Sequence, residues 1–305
     1  GADVAEQIQT QWLAQRDTDD GCALAAQELL KARKMKPEVA WLRARGGMET
    51  GRQSVVTQAV GLLNPDWSNK VKTIFSDPIR YLDEKHTALL PRTKELVTLG
   101  LIRLAAEDPA AAAEQVSKLR WRTQLTQDER SYVWGVIGKR AAQKLSDEAS
   151  AYFANAQSKY LQPDHLEWKV RAALRAGKWE QVLDATAAMD ETQRLEPAWI
   201  YWRARALTSA GRPAADRAQA TALYESIASV RGFYEQLALE ELGRKITVPP
   251  APPPPTAKEK QDIRNDAALV RSIHAISIGL RSEGDREWNY VVRLHDPGGM
   301  NDRDL

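Results

Sequence analysis

The sequence predicts an all-α fold, an α-solenoid or superhelix of TPR-like helix hairpins followed by a small helical module. Three observations predict it. Trp134, Trp168 and Trp202 stand 34 residues apart, each in the first helix of a pair. Glycines follow at the turns between helices, Gly177 after Trp168 and Gly211 after Trp202, with Gly243 closing the last helix. No segment sustains the period-two alternation of β-branched residues that a sheet requires, so no sheet is expected. A helix-turn-helix unit of this length cannot bury its apolar stripe alone and needs neighbours of its own kind.

Taken in order, residues 3–34 predict two helices, one carrying Ile8 and Trp12, the next Cys22, Ala25, Leu29 and Leu30. Pro37 opens a helix around Trp41, and Gly51 turns it into a partner that runs to Leu63. Trp41 belongs to the same design, although the 93 residues from it to Trp134 are not a multiple of the repeat. Pro65, Pro78 and Pro91 limit the helices between Asn64 and Pro91. A further hairpin has Asp108 as cap and Pro109 in the first turn of its second helix. Thr126 followed by Glu129 has the spacing of a capping box, and opens the helix that carries Trp134.

The stretch from Glu196 to Gly243 is the clearest repeat. Pro197 opens a helix reaching to about Ala210, and Trp199, Trp202, Ala206 and Leu207 make one apolar stripe along it. The turn is Gly211-Arg212-Pro213, a second helix runs from Ala214 to about Ser229, and a third from Phe233 to Gly243. The boundaries are 1–245 for the array, 246–257 for a proline-rich extended strap, and 258–305 for a second helical module. In that module Ala268, Ile273, Ile276 and Leu280 fall near one face, Gly284 breaks the helix, and a further helix carries Trp288 and Val292.

Composition excludes several functions. Lys and Arg number 43 against 41 for Asp and Glu, a net charge of +2 that gives no field for nucleic acid or a membrane surface. No apolar run is long enough to span a bilayer. The single Cys22 excludes an internal disulfide and, in its apolar helical setting, reads as a buried structural thiol. His86, His165, His274 and His295 lie far apart with no second metal ligand at helical spacing, so neither metal nor cofactor is expected. There is no phosphate loop, nucleophile elbow or zinc helix motif. The ten tryptophans could stack on sugars, but at helical spacing beside alanines Trp134, Trp168 and Trp202 read as core.

A family resemblance enters here. WIYWRARAL, ALYESIA and RGFYEQLALEELG, the proline strap, GLRSEGDREWN, and upstream the Trp41 helix and WRTQLTQDERSYVWGVIGKRAA together resemble the soluble lytic murein transglycosylases of Gram-negative bacteria. The resemblance implies a superhelical ring for residues 3–243 and the start of a linker domain from about Thr256, with a lysozyme-like catalytic domain absent from this chain. It implies a periplasmic parent enzyme that cleaves the MurNAc–GlcNAc β-1,4 bond, leaving 1,6-anhydromuramoyl ends. The partners it implies are peptidoglycan glycan strands, the missing catalytic domain and other cell-wall enzymes. The family's catalytic acid lies in a Glu-Ser pair followed by a Gly-Leu-Met-Gln element. Glu225-Ser226 lacks that setting, and Gly298-Gly299-Met300 lacks the leucine and glutamine, so no catalytic residue is assigned in this chain. The competing expectation is a free-standing TPR-like adaptor that binds a protein or peptide.

Overall fold

The computed structural model describes residues 2–84, 87–88, 90–209, 213–247 and 253–295. The chain is all-α, with no strand among the described residues. It divides into two compact units, Gly1–Arg244 and Lys245–Leu305.

In the first unit α1 (Ala2–Ala14) pairs with α2 (Asp20–Lys31), and α3 (Pro37–Glu49) with α4 (Gln53–Leu63). Next come α5 (Ser68–Ser76) and α6 (Pro78–Asp83), then the pair α7 (Pro91–Glu107) and α8 (Pro109–Ser117), and the short α9 (Leu119–Gln124). The pairs α10 (Gln127–Gln143) with α11 (Ala149–Ala154) and α12 (Pro163–Arg175) with α13 (Trp179–Ala188) follow. After α14 (Glu191–Arg194), the unit closes with α15 (Pro197–Leu207), α16 (Ala214–Ile227) and α17 (Phe233–Glu241). First helices stack on first helices, α3 on α7, α7 on α10 and α10 on α12, so the hairpins form the continuous superhelical array the repeat predicts.

Local chemistry sets the helix ends. Pro37, Pro78, Pro91, Pro109, Pro163 and Pro197 each occupy a first turn, where the missing N–H removes no bond. The prolines between Asn64 and Pro91 therefore open helices rather than interrupt them. Asp108 accepts from the backbone N–H groups of Ala110 and Ala111, and Thr126 with Glu129 closes the capping box in both directions.

Several helices end in one geometry. Gly51, Gly177 and Gly243 lie at φ of 72°, 64° and 68°, in the left-handed region. After Gly177 the Lys178 N–H donates to the Ala173 carbonyl and the Gly177 N–H to that of Leu174, the Schellman pattern. Leu145 makes the same turn without glycine, at φ 57°. Gly211 lies outside the described residues, as do residues 248–252 of the proline strap.

The fully buried indoles are Trp12 and Trp121, at 1% and 0% exposure, with Trp41 and Trp199 close behind. Trp134, Trp168 and Trp202, read as core, are half-buried and pack against the core from its edge. Trp134 stacks on Tyr152 and Trp202 meets Tyr201 edge-on. The stripe of α15 holds at Trp199, Ala206 and Leu207. Cys22 is also half-buried, because the inward positions of α2 are taken by Ala23 and Ala26.

The second unit contains α18 (Ala257–Asn265), α19 (Ala267–Ser277) and α20 (Arg281–His295). Two expectations fail here. The break between the last helices is Gly279, at φ 91°, and Gly284 lies inside α20. Gly284 is a crossing point: a Cβ there would stand 2.5 Å from Ile276 Cγ1, and Ser272 Oγ donates to the Gly284 carbonyl at 2.8 Å. The buried face of α19 is Leu269 and Ser272, not Ile273, Ile276 and Leu280, which are exposed.

Candidate functional site

The densest chemistry in the first unit lies where α3, α10 and α12 meet. Helix α3 is buried around most of its circumference, because Ala40, Ala44 and Gly47 let neighbouring helices approach. Its charged residues are therefore drawn inside. Arg45 makes a bidentate pair with Glu95 of α7, at 3.0 and 2.9 Å, and donates to Asp128 of α10 at 3.1 Å. Bidentate geometry is what the planar guanidinium favours, and several partners offset its desolvation.

Glu49, at the C-terminal end of α3, is the centre of the cluster. Its Oε1 accepts from Lys139 Nζ at 2.6 Å and its Oε2 from His165 Nε2 at 3.1 Å, with the Tyr132 hydroxyl at 3.5 Å. Lys139 also donates to Asp164 Oδ2 at 2.6 Å. The Arg140 guanidinium reaches the Glu49 carbonyl at 2.6 Å. His165 is 1% exposed and fits because position 135 is glycine: a Cβ there would lie 2.6 Å from its Nδ1. Its ring meets Tyr132 edge-on at 5.1 Å. Nε2 carries the proton that Glu49 accepts, and Nδ1 is buried with no hydrogen-bond partner.

Burial pushes the Glu49 carboxyl upward, but His165 and Lys139 outweigh it and hold the group down at about 2. Burial likewise opposes the charge on Lys139, and Glu49 and Asp164 more than restore it. Glu49 therefore stays ionised and Lys139 protonated across the neutral range. A general acid needs its pKa raised toward the working pH, so Glu49 cannot serve as one. Donor atoms of Glu49, Asp164 and His165 lie within 4.8 Å of one another, close enough to share a metal ion. The positive charge those carboxylates require is already supplied by Lys139 Nζ, between the two acids. The cluster is an electrostatic tie that joins three repeats.

A cleft of about 430 Å³ opens beside this tie, lined among others by Arg16, Leu42, Arg43, Arg52, Lys139 and Asp164. A second network repeats the device further on, where Lys169 Nζ donates to Ser158 Oγ at 2.7 Å and to Asp184 Oδ2 at 2.6 Å. Burial raises the Asp184 pKa, yet the bonds from Lys169 and Ser158 bring it below its ordinary value.

None of these charged residues is among the positions the sequence singled out. Trp41 stacks on Trp67 with ring centroids 5.9 Å apart, well away from solvent. Trp168 lines another cleft with Arg171 and Arg175, and the Arg171 guanidinium stands 5.1 Å from Trp168 and 5.0 Å from Trp199. Gly177 and Gly243 are turn residues. The structure brings none of the repeat tryptophans and glycines into the Glu49 cluster; of the histidines the sequence considered as metal ligands, His165 lies in it. The cluster's sequence signal was the run of small residues Ala40, Ala44 and Gly47 among charges, which marks a closely packed helix. Glu225 of α16 is exposed and pairs with Arg244 at 3.0 Å, while Ser226 Oγ bonds the Leu223 carbonyl, so the Glu-Ser pair has no catalytic setting.

No protein-family model matches the chain, and no curated protein matches it significantly. Solved structures do. The chain is similar to an inactive mutant of the lytic transglycosylase Slt from Pseudomonas aeruginosa, with a TM-score of 0.62 and 23% identity over 96% of its length. It is similar also to the 70-kDa soluble lytic transglycosylase of Escherichia coli, with a TM-score of 0.52 and 18% identity over 95% of its length. A complex of the 70-kDa soluble lytic transglycosylase with bulgecin A matches equally, at 0.52 and 18%. The chain spans about half of each of these proteins, 48% of the first and 47% of the others. These likenesses establish the helical superhelix as a fold that lytic transglycosylases share. No helix among the described residues is long and apolar enough to cross a membrane.

Proposed function

We propose that this chain is the scaffold segment of a periplasmic peptidoglycan lytic transglycosylase, comprising an array of helical repeats, a proline strap and the first helices of a linker domain. The observation that carries this reading is the fold match along 96% of the chain to part of a lytic transglycosylase. The WRARAL and FYEQLA segments and the strap support it. The parent cleaves the β-1,4 bond between N-acetylmuramic acid and N-acetylglucosamine in cell-wall turnover. One glutamate acting first as acid and then as base suffices when the sugar's own 6-hydroxyl is the nucleophile, since no second carboxylate need position water. That glutamate is assigned to a further domain of the parent. The work of this segment is to position that domain and to guide glycan strands, which demands a rigid array. The ties at Glu49 and Arg45 join repeats that are distant in sequence and fix their register, and the one at Lys169 braces a single hairpin.

The test is co-sedimentation of the 305-residue chain with purified peptidoglycan sacculi, together with chromatography of the soluble products. The expected result is binding without release of anhydromuropeptides. Failure to bind sacculi, together with tight binding of an unrelated peptide, would replace this reading with a peptide-binding adaptor. Anhydromuropeptide release by this chain alone would overturn the assignment of catalysis to a separate domain.

A further inference from the structure

Arg43 differs from the other buried cations of the array. Arg45 has Glu95 and Asp128, Lys139 has Glu49 and Asp164, and Lys169 has Asp184. Arg43 is 4% exposed, and its hydrogen bonds go to neutral backbone carbonyls, from Nη1 to that of Gln15 at 2.9 Å and from Nη2 to that of Asp17 at 3.1 Å. Its Nε is buried with no partner, and its face lies over the Trp12 ring at 5.3 Å. Burial pulls its pKa down, opposed by Cys22 and by no carboxylate. A buried charge without a counter-ion costs several kcal/mol, far more than two neutral acceptors return.

Arg43 lines the cleft of about 430 Å³, a size suited to a small ligand. The cleft's other cations are Arg16, Arg52 and Lys139, and its acids are Glu49 and Asp164, both already bonded to Lys139. Arg52 has only a loose contact, 3.6 Å from the exposed Asp17. Gln15 lines it too, and its amide oxygen, buried without a partner, can accept from an amide N–H. Leu13, Leu42 and Val55 complete an apolar wall.

We propose that this cleft binds the carboxylate of a short peptide or N-acylated amino acid. The planar anion sits against Arg43, whose Nε–H is free to donate, with Arg52 as the second cation. An aliphatic side chain lies on Leu42 and Val55, and a backbone amide donates to Gln15. Glu49 and Asp164, which also line the cleft, disfavour a second negative charge, which selects a carboxylate over a phosphate dianion. This assignment is independent of the scaffold reading above and is tested by binding alone.

Gly46 supplies a clean test. It lies in α3 on the cleft wall, and a Cβ built there meets no atom within 4 Å. Gly46→Leu therefore fills the cleft without straining the helix. Titration calorimetry at low ionic strength would compare N-acetyl-alanyl-alanine, its C-terminal amide and inorganic phosphate on the 305-residue chain. The acid is expected to bind at least about tenfold tighter than the amide or phosphate, the difference one charge-assisted pair provides. Gly46→Leu is expected to abolish binding at an unchanged melting temperature, and Arg43→Gln to erase the preference for the acid. Absence of acid binding, equal binding of acid and amide, tighter binding of phosphate, or full binding by Gly46→Leu would each overturn the proposal.

Discussion

Glu49 and Lys139 stand 90 residues apart in the chain and 2.6 Å apart in space, both buried. The pair ties the end of α3 to the middle of α10, and Asp164 and His165 extend it to the start of α12. Removing Glu49 leaves Lys139 with Asp164 as its one counter-ion and His165 Nε2 without an acceptor, both at buried positions. Glu49→Ala is expected to destabilise the first unit by about 3–5 kcal/mol, and chemical denaturation followed by circular dichroism measures it. A loss below about 1 kcal/mol would mean that Asp164 and water together satisfy Lys139 without Glu49.

The same pair makes an acid-sensitive contribution of known sign. Glu49 has an ordinary value of 4.5 and about 2 when folded, so its stabilisation is complete above about pH 4.5 and declines as pH falls toward 2. The gap corresponds to about 3 kcal/mol. The difference in stability between the parent chain and Glu49→Gln should therefore shrink across that window as pH falls. A constant difference from pH 5 to pH 2 would contradict the assignment.

His165 reaches Glu49 because position 135 carries no side chain. Gly135→Ala would place a methyl 2.6 Å from His165 Nδ1 and 2.7 Å from Leu161 Cδ2. Overpacking costs about 1–3 kcal/mol, more than the gain of up to about 1 kcal/mol from replacing a helical glycine by alanine. The expected result is a lower melting temperature and a changed His165 ring resonance in NMR spectra. A stabilised variant with an unmoved His165 would show that the ring has room to retreat.

Leu145 makes a hairpin turn at φ 57°, the job that Gly51 and Gly177 do without strain, and its side chain is exposed. Leu145→Gly relieves about 1 kcal/mol of left-handed strain while losing little packing. A modest rise in melting temperature is expected. A fall would show that the Leu145 side chain contributes more to the adjacent cleft than its exposure indicates.

The tryptophans give two levels of cost. Trp121 is fully buried and Trp121→Ala should cost about 3–5 kcal/mol. Trp202 is half-buried against Tyr201 and Tyr234, and Trp202→Ala should cost about 1–2 kcal/mol. Equal losses measured by denaturant unfolding would place both indoles in the same core.

What the sequence determined by itself follows from local rules. Prolines open helices, Asp108 and Thr126 cap them, Gly177 turns one helix into the next, and the spacing of Trp168 and Trp202 announces a repeat. These are interactions over a few residues, or one pattern recurring, and both are written along the chain. Tertiary structure alone decided the rest. A charge such as Glu49, Arg43 or Lys139 reads in sequence like any solvated helix residue, and only the stacking of α3, α7, α10 and α12 removes it from water. Gly284 likewise reads as a helix breaker until the crossing of α19 and α20 shows that it is a close approach. Burial is a property of the neighbours a residue acquires, and for Glu49 those neighbours lie 90 and 116 residues away.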